Sequence, residues 1–417
     1  MRILRLNAYY LPEKTAGLHL MLDLNTAFET NKINYSIITP VPTRGISDSV
    51  RKQYKKIPIE YTNNGFVEVN RFHLFKEYRN PLLRIIRYIF LNIKEYKIAV
   101  KQKNIDIVFC SSTPPTQGMM GALVSKKLSR KYKKTIPFVY NLQDVFPDSL
   151  VNARMTKKGS LIWKIGRKIE NFTYKNADKI IVISEDFKQN IMKKGVPEEK
   201  IVVIPNWVNM DNVYSVDRKD NVLFDRYNLD RNKFYICYSG NLGHSQNFEL
   251  LIAVAEEIQI SMPDVVFVLI GEGAAKKELE LLVQKKKLKN VVILPFQPYE
   301  DIAHVFSFGD VGLIISKPGI GESSVPSKTW GIMAAKRPIL ASFDKKSALV
   351  KLIENTHSGI CADAANSIEF INAIKKFREN SAYQSLGENG YTFVHTYLDK
   401  DKCVNMYIDV LKSFVGD

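Results

Sequence analysis

The sequence predicts an α/β protein made of two doubly wound, Rossmann-like units in succession. Strand-like runs alternate with helical ones almost throughout, which is how a parallel sheet with crossover helices reads in sequence. The alternation restarts about halfway, and 417 residues exceed what a single hydrophobic core usually holds.

In the first half, apolar β-branched runs place strands at residues 2–6, 35–38, 107–110, 138–142 and 179–183, with helices near 18–31, 116–131, 159–175 and 185–194. The second half repeats the pattern. Its strands fall at 235–239, 265–270, 291–294, 311–315 and 338–341, and its helices near 247–260, 274–286, 299–308, 326–335 and 345–354. Pro205, Asn206 and Trp207 end a strand before a polar, weakly patterned stretch, so the boundary is set at residues 205/206. The expected organisation is residues 1–205, residues 206–395 and a closing helix within 396–417. In that helix Val404, Met406, Tyr407, Val410, Leu411 and Phe414 recur at helical spacing, and it is expected to pack back towards the first unit.

Hydrophobic residues at 45% and charged ones at 25% suit a globular chain with a large core. Sixty Lys and Arg against 43 Asp and Glu give a net charge of +17, a field that draws phosphate-rich or anionic-lipid partners. The four cysteines, Cys110, Cys237, Cys361 and Cys403, are scattered without the close pairs of a zinc or disulfide framework, and point to a reducing cytosol. Arg2 and Arg5 interrupt any apolar leader, and no run approaches about 20 apolar residues, so membrane contact is expected to be peripheral.

In doubly wound sheets ligands lie beyond the carboxyl ends of strands, so the segments after strands carry the functional argument. Gly17 closes the turn after the first strand, a position that suits either phosphate approach or a plain strand-to-helix turn. Ser239-Gly240-Asn241-Leu242-Gly243-His244 follows the opening strand of the second half, and Gly271-Glu272-Gly273 has the same form. Glycines there let a phosphate or sugar approach the chain, although the second is equally a tight turn.

The loop 317–328 brings Ser323, Ser324, Val325, Pro326, Ser327 and Lys328 to a helix start. Small residues, hydroxyls and a cation suit a diphosphate. In the first half Gln143 and Asp144 follow a strand, and Asp144 is the candidate to orient or deprotonate a sugar hydroxyl. Asp148 is left open between that role and a helix cap. Asp399-Lys400-Asp401 has metal-binding spacing but reads as solvated charge at a helix start, and no metal is predicted.

Taken together, these segments resemble the GT4 family of GT-B glycosyltransferases, in particular bacterial O-antigen and capsule members of the N-acetyl-fucosamine transferase type. The resemblance runs nearly the whole length. It is carried by residues 11–19, 106–112 with Pro114 and Pro115, 143–148, 177–184, 203–208, 238–243 and 325–329. It implies a GT-B fold with an interdomain cleft, a nucleotide-sugar donor held mainly by the second unit, and an acceptor held mainly by the first. Transfer would proceed with retention and without a metal or other cofactor. UDP is the implied nucleotide, an N-acetylhexosamine or deoxy-amino sugar the implied cargo, and a lipid-linked or oligosaccharide acceptor of lipopolysaccharide or capsule assembly the implied partner.

The chain departs from the family pattern at specific positions. Aligned on Met333, two glutamates of the family become Ser323 and Gly331, with Glu322 one residue out of register. The Arg and Lys of the loop after the second unit's opening strand become Asn241 and Gln246, which leaves Lys328 to carry more of the diphosphate charge. A histidine before the aspartate becomes Gln143.

Residues 79–103 interleave Arg84, Arg87, Lys94 and Lys97 with Ile85, Ile86, Ile89 and Phe90, as a helix on an anionic membrane would, or as a core helix with a solvated basic face. The resemblance favours the membrane and implies a cytoplasmic protein peripheral on the inner face of the plasma membrane. Competing readings are a nucleotide-sugar epimerase on the same fold, a catalytically silent relative, and a nucleic-acid binder. The last has only the charge in its favour and none of the binding signatures, so no nucleic acid is expected.

Overall fold

The computed structural model describes residues 1–13, 17–77, 81–152, 156–319, 325–379 and 383–415. The chain forms two compact units, Met1–Asn206 with Asp401–Asp417, and Trp207–Lys400.

The first unit runs β1 (Arg2–Leu6), α1 (Leu18–Thr30), β2 (Asn34–Pro40), α2 (Asp48–Tyr54), β3 (Ile59–Thr62), β4 (Val67–Phe72), α3 (Pro81–Ala99), β5 (Ile107–Ser111) and α4 (Gln117–Tyr132). It continues through β6 (Phe138–Leu142), α5 (Asp148–Asn152), α6 (Leu161–Asn176), β7 (Lys179–Val182), α7 (Glu185–Met192) and β8 (Ile201–Val203). The eight strands lie in the order β3-β4-β2-β1-β5-β6-β7-β8, all parallel except β3 against β4.

Right-handed crossovers fix which helix covers which face. The steps from β4 to β5, β6 and β7 all run one way along the sheet, so α3, α4 and α6 share a face. The step from β1 to β2 runs the other way and puts α1 opposite. On the shared face Leu91, Val124, Leu128 and Tyr174 bury against Leu4, Val108, Phe138 and Ile180.

The second unit contains α8 (Val222–Arg226), β9 (Phe234–Ser239), α9 (Phe248–Ser261), β10 (Val265–Ile270), α10 (Lys276–Lys285), β11 (Val291–Leu294), α11 (Ile302–Phe306), β12 (Val311–Ile315) and α12 (Lys328–Ala334). β13 (Ile339–Phe343), α13 (Ala348–Thr356), β14 (Gly359–Asp363), α14 (Ser367–Glu379) and α15 (Gln384–Tyr397) complete it. Its six parallel strands take the order β11-β10-β9-β12-β13-β14, the doubly wound order of a dinucleotide-binding sheet.

The closing helix α16 (Lys400–Lys412) supplies Asp401 onward to the first unit. Its buried stripe is Cys403, Val404, Tyr407, Ile408 and Leu411. Met406, expected in that stripe, is exposed, because the buried face turns through Cys403 and Ile408 instead. The Tyr407 ring meets Phe109 edge-on at 6.3 Å, and its hydroxyl donates to Asn141 Oδ1 at 3.2 Å.

Several regions depart from the sequence reading, and α2, α14 and α15 form where it assigned no element. β3 and β4 form a hairpin where the sequence reading assigned no strand; β4 carries Arg71 in a buried position, which dilutes its apolar pattern. β14 was missed because Gly359 and Asp363 dilute its β-propensity. Residues 81–99 are helical, but the solvated basic face is broken: Arg87 is fully buried, donating to the Phe75 carbonyl and Thr43 Oγ1, both at 3.2 Å. Among the described residues no helix is long and apolar enough to cross a membrane.

Leu411 is fully buried. Leu411→Ala is expected to destabilise the first unit by about 2–5 kcal/mol, measured by urea unfolding, since it leaves a cavity under α16.

Candidate active site

The sheet of the second unit opens where its winding reverses, between β9 and β12. β9 pairs with β10 over its whole length, up to Ser239 opposite Ile270. With β12 it pairs only at Ile236–Val311 and Cys237–Gly312, so the carboxyl halves of β9 and β12 are not bonded to each other. A crevice at such a reversal is where doubly wound sheets take ligands.

Lys328, the first residue of α12, reaches into this opening. Its Nζ stands 3.5 Å from the centroid of the Tyr238 ring, and a Cβ placed on Gly240 would meet it at 3.0 Å. Among the described residues no carboxylate pairs with it. Burial disfavours the ammonium and lowers its pKa to about 7, while the nearby Cys237 opposes the shift. The ring face offsets part of that cost through cation–π attraction.

The surrounding loops are held by their own backbone. Gly240 donates to the Ile270 carbonyl at 2.9 Å, Leu242 to Glu272 at 2.9 Å, and Gly271 to Leu294 at 3.1 Å. Gly243 donates to Gln246 Oε1 at 3.0 Å. The sequence reading expected glycines here to let a phosphate or sugar approach the chain. The amides of Gly240, Gly243 and Gly271 are already engaged, so these glycines offer a ligand room rather than donors. Gly271 is required by contact, since a Cβ on it would stand 1.9 Å from the Gly240 carbonyl oxygen.

Asn241 is exposed on this loop, with its carbonyl accepting from the Tyr238 hydroxyl at 2.7 Å. Glu272 is exposed and paired with Lys276 at 2.6 Å. Lys317 ties the loop after β12 to the loop after β9, its amide donating to the Ser245 carbonyl at 2.9 Å and its Nζ pairing with Glu249 at 3.0 Å. The Pro326 carbonyl accepts from Thr329 at 2.9 Å, and Val325 packs against the core beneath α12. Ser324, with Ser323 and Glu322, lies outside the described residues.

Gly331, where the family carries a glutamate, is buried and its missing side chain is replaced by a ring. A Cβ there would stand 2.4 Å from Phe306. The space for a longer residue is therefore filled, and the departure is built into the packing.

In the first unit Gln143 and Asp144 leave the carboxyl end of β6. Both of their amides donate to Ser112 Oγ, each at 3.0 Å. Gln143 Nε2 donates to Asn141 Oδ1 at 2.8 Å, and Asn206 Nδ2 donates to Gln143 Oε1 at 2.9 Å. Asn141 Oδ1 also receives the Tyr407 hydroxyl, so α16 braces the loop. Gln143 is thus a fixed member of a network, while the Asp144 side chain is exposed and bonded only to Ser149 Oγ, at 3.2 Å, among the hydrogen bonds described. Partial desolvation by the surrounding protein nevertheless raises its carboxyl above the ordinary aspartate value, against the Ser149 hydrogen bond, which lowers it.

Asp148 stands in the first turn of α5 and pairs with Lys194 at 2.7 Å, as a helix-start carboxylate would. Gly17 is the N-cap of α1 in the left-handed conformation, at φ 75°. Close by, the buried Glu13 accepts the amides of Thr43 at 2.7 Å and Arg44 at 2.8 Å, which pins the turn after β1 to the chain after β2.

Sequence reasoning gave Tyr238 and Ser112 no role of their own, although both fall in segments that carry the family resemblance: Tyr238 reads as an ordinary inward strand residue, and Ser112 stands at the end of a strand.

Residues 22–212 match the family described as Glycosyltransferase Family 4, and residues 220–393 match the one described as Glycosyl transferases group 1. The two sheets and the two matches define a glycosyltransferase of the GT-B class. The chain belongs to the family 4 branch of that class.

It is 25% identical over 284 residues to the putative colanic acid biosynthesis glycosyl transferase WcaI of Escherichia coli K12, covering 67% of each chain. It is 24% identical over 333 residues, 76% of this chain and 79% of the other, to the Escherichia coli UDP-Gal:alpha-D-GlcNAc-diphosphoundecaprenol alpha-1,3-galactosyltransferase. The chain spans about two thirds of the length of the first curated relatives it matches. The crystal structure of Anabaena HepE in complex with UDP shares the fold, at a TM-score of 0.70 and 17% identity, covering 99% of this chain and 100% of that one.

A lysine titrating near neutrality is directly observable. In the protein with ¹³C-dimethylated lysines, the Lys328 resonance, assigned with Lys328→Arg, is expected to titrate at about 7. A midpoint near the ordinary lysine value, about 10.4, would show that the ammonium is not desolvated.

Proposed function

We propose that the chain transfers a sugar, an N-acetylhexosamine or deoxy-amino sugar, from a UDP-linked donor to a lipid-linked glycan of a surface polysaccharide. In this reading the anomeric configuration is retained and no metal takes part. The observation that carries it is the Lys328 ammonium, buried against Tyr238 at the opening between β9 and β12 without a carboxylate partner among the described residues. A desolvated cation of this kind is short of an anion, and a nucleotide diphosphate supplies one.

Bond cleavage at the anomeric carbon leaves negative charge on the departing diphosphate. A preorganised cation stabilises that charge more as it develops than in the ground state. Lys328 fills this role in place of the family Arg and Lys, which are Asn241 and Gln246 here. Asn241, exposed at the tip of the β9 loop, is positioned to hydrogen-bond the phosphates or the sugar, and Gly240 and Gly243 keep the loop slim enough for approach.

In the first unit Asp144 is the group for the acceptor. Its raised pKa makes it a better base than an ordinary aspartate, and Gln143, Ser112 and Asn206 hold its backbone in place. The names of the relatives support the substrate classes: one acts on an undecaprenol diphosphate glycan, one is assigned to colanic acid, and HepE was crystallised with UDP. A lipid-linked acceptor lies at a cytoplasmic membrane surface, and α3 suits an anionic one, exposing Ile85, Ile86, Ile89, Phe90 and Ile93 beside Arg84 and Lys94.

A thermal-shift screen against UDP, GDP and ADP and their sugars, with chelator present, is expected to show a selective rise with the uridine set. A rise with another nucleotide alone, or none, would overturn the donor assignment. Lys328→Ala is expected to weaken UDP binding roughly 10- to 100-fold by calorimetry, the loss of a charge-assisted contact.

Because the ammonium form binds and predominates only below about pH 7, wild-type affinity is expected to fall as pH rises from neutrality, as long as the free lysine is neutral. Lys328→Arg keeps its charge and is expected to abolish that slope. Asp144→Asn is expected to lower turnover by about 10²- to 10⁴-fold while UDP binding is kept, and an unchanged rate would remove Asp144 from the chemistry.

A further inference from the structure

We propose that α6 is a second lipid-contact surface of the first unit, seated at the interface of an anionic bilayer alongside α3. The proposal rests on the membrane reading above and extends it to a helix that neither the sequence nor the comparisons single out. Leu161, Ile162 and Ile165, at one end of α6, are 74%, 58% and 51% exposed, a cost in water that a folded chain normally avoids on three clustered aliphatics. Lys157, Lys158, Lys164 and Lys168 stand exposed around them. The one carboxylate in the helix, Glu170, is buried and taken up by Lys194, by Arg167 and by the Tyr174 hydroxyl. The outer side of α6 therefore combines aliphatic surface with positive charge that no carboxylate pairs with among the described residues.

That combination selects the occupant. A second copy of the chain would bring the same lysines against these, and like charges oppose the contact. An anionic bilayer satisfies both features, accepting the aliphatics below the headgroups and pairing the lysines with phosphates. The topology supports joint use with α3, because both helices cover the same face of the sheet and α4 packs against each, with Leu123 exposed on it.

Seating α6 on lipid also has a consequence for the acceptor loop. Gly166 lies flush on that loop, where a Cβ would stand 2.8 Å from both Phe146 and Pro147. The helix thus holds the segment bearing Asp144 at a fixed height above the bilayer.

The test is vesicle flotation of the full chain with phosphatidylcholine alone and with phosphatidylglycerol added, comparing wild type, Leu161→Gln/Ile162→Gln/Ile165→Gln in α6, and Ile85→Gln/Ile89→Gln/Phe90→Gln in α3. These positions are exposed, so folding is expected to be kept, and circular dichroism checks it. The α6 variant is expected to lose roughly tenfold or more in affinity for anionic vesicles. A second readout leaves the three aliphatics in place: brominated acyl chains are expected to quench wild-type tryptophan emission, and the quenching to disappear when Trp163, the third residue of α6, is replaced in Trp163→Phe.

Loss in the α3 variant alone, without quenching of Trp163, would overturn the role of α6 and leave the membrane reading standing. No binding by wild type would overturn both. A wild-type dimer that the α6 variant converts to monomer without vesicles would assign the surface to a second copy and overturn the proposal.

Discussion

A parallel sheet has no exposed face to spare, and this requirement shapes both units. Strands hydrophobic on both sides must be covered on both sides, so the winding has to reverse once. The reversal falls between β1 and β5 in one sheet and between β9 and β12 in the other. In the second unit it coincides with strands that pair at their start and then part, with Tyr238 on one and Lys328 on the helix after the other. The crevice is thus a by-product of covering the sheet, and the proposed donor site occupies a place that folding had to leave open.

Among the described residues, the proposed donor site is sparing in charged groups. Loop amides are spent on holding loops together, the paired glutamates of the family are absent in register, and a phenylalanine ring occupies the room beside Gly331. In the proposed role, the desolvated Lys328 carries charge that several cations would otherwise share. The first unit is organised differently: the exposed Asp144 side chain is met by Ser149 Oγ, while the loop behind it is tied through Ser112, Asn141, Asn206 and Tyr407.

The strands that contribute Val108, Ile180, Val268 and Leu313 to the cores were legible because β-branched and aliphatic runs of strand length leave little choice. So were the loops that follow them. β14 was not, since its glycine and aspartate carry no strand signal and only its neighbour β13 makes it one. The contact of Lys328 with Tyr238 was hidden because it joins positions far apart in sequence, one of which looks like core. The engaged state of the loop amides was also hidden: glycines advertise closeness, and sequence does not say whether a ligand or another strand is what comes close. For α3 and α6 the helical period was visible, but a period marks an apolar side without saying whether protein covers it.

The placement of α16 has one more implication. Residues 207–400 form one unit, while the residues on either side of them in the chain form the other, so one unit is nested inside the chain of its neighbour. During synthesis the residues that close the first sheet's α1 face emerge only after the whole second unit has been made. The inserted unit has all its parts in hand early, whereas the host must wait, with Phe109 and Asn141 lacking their Tyr407 partner until translation has passed residue 407. Dissection therefore has to follow the nesting: residues 207–400 form a contiguous piece, while the outer unit needs its two segments rejoined by a linker to carry its own last helix.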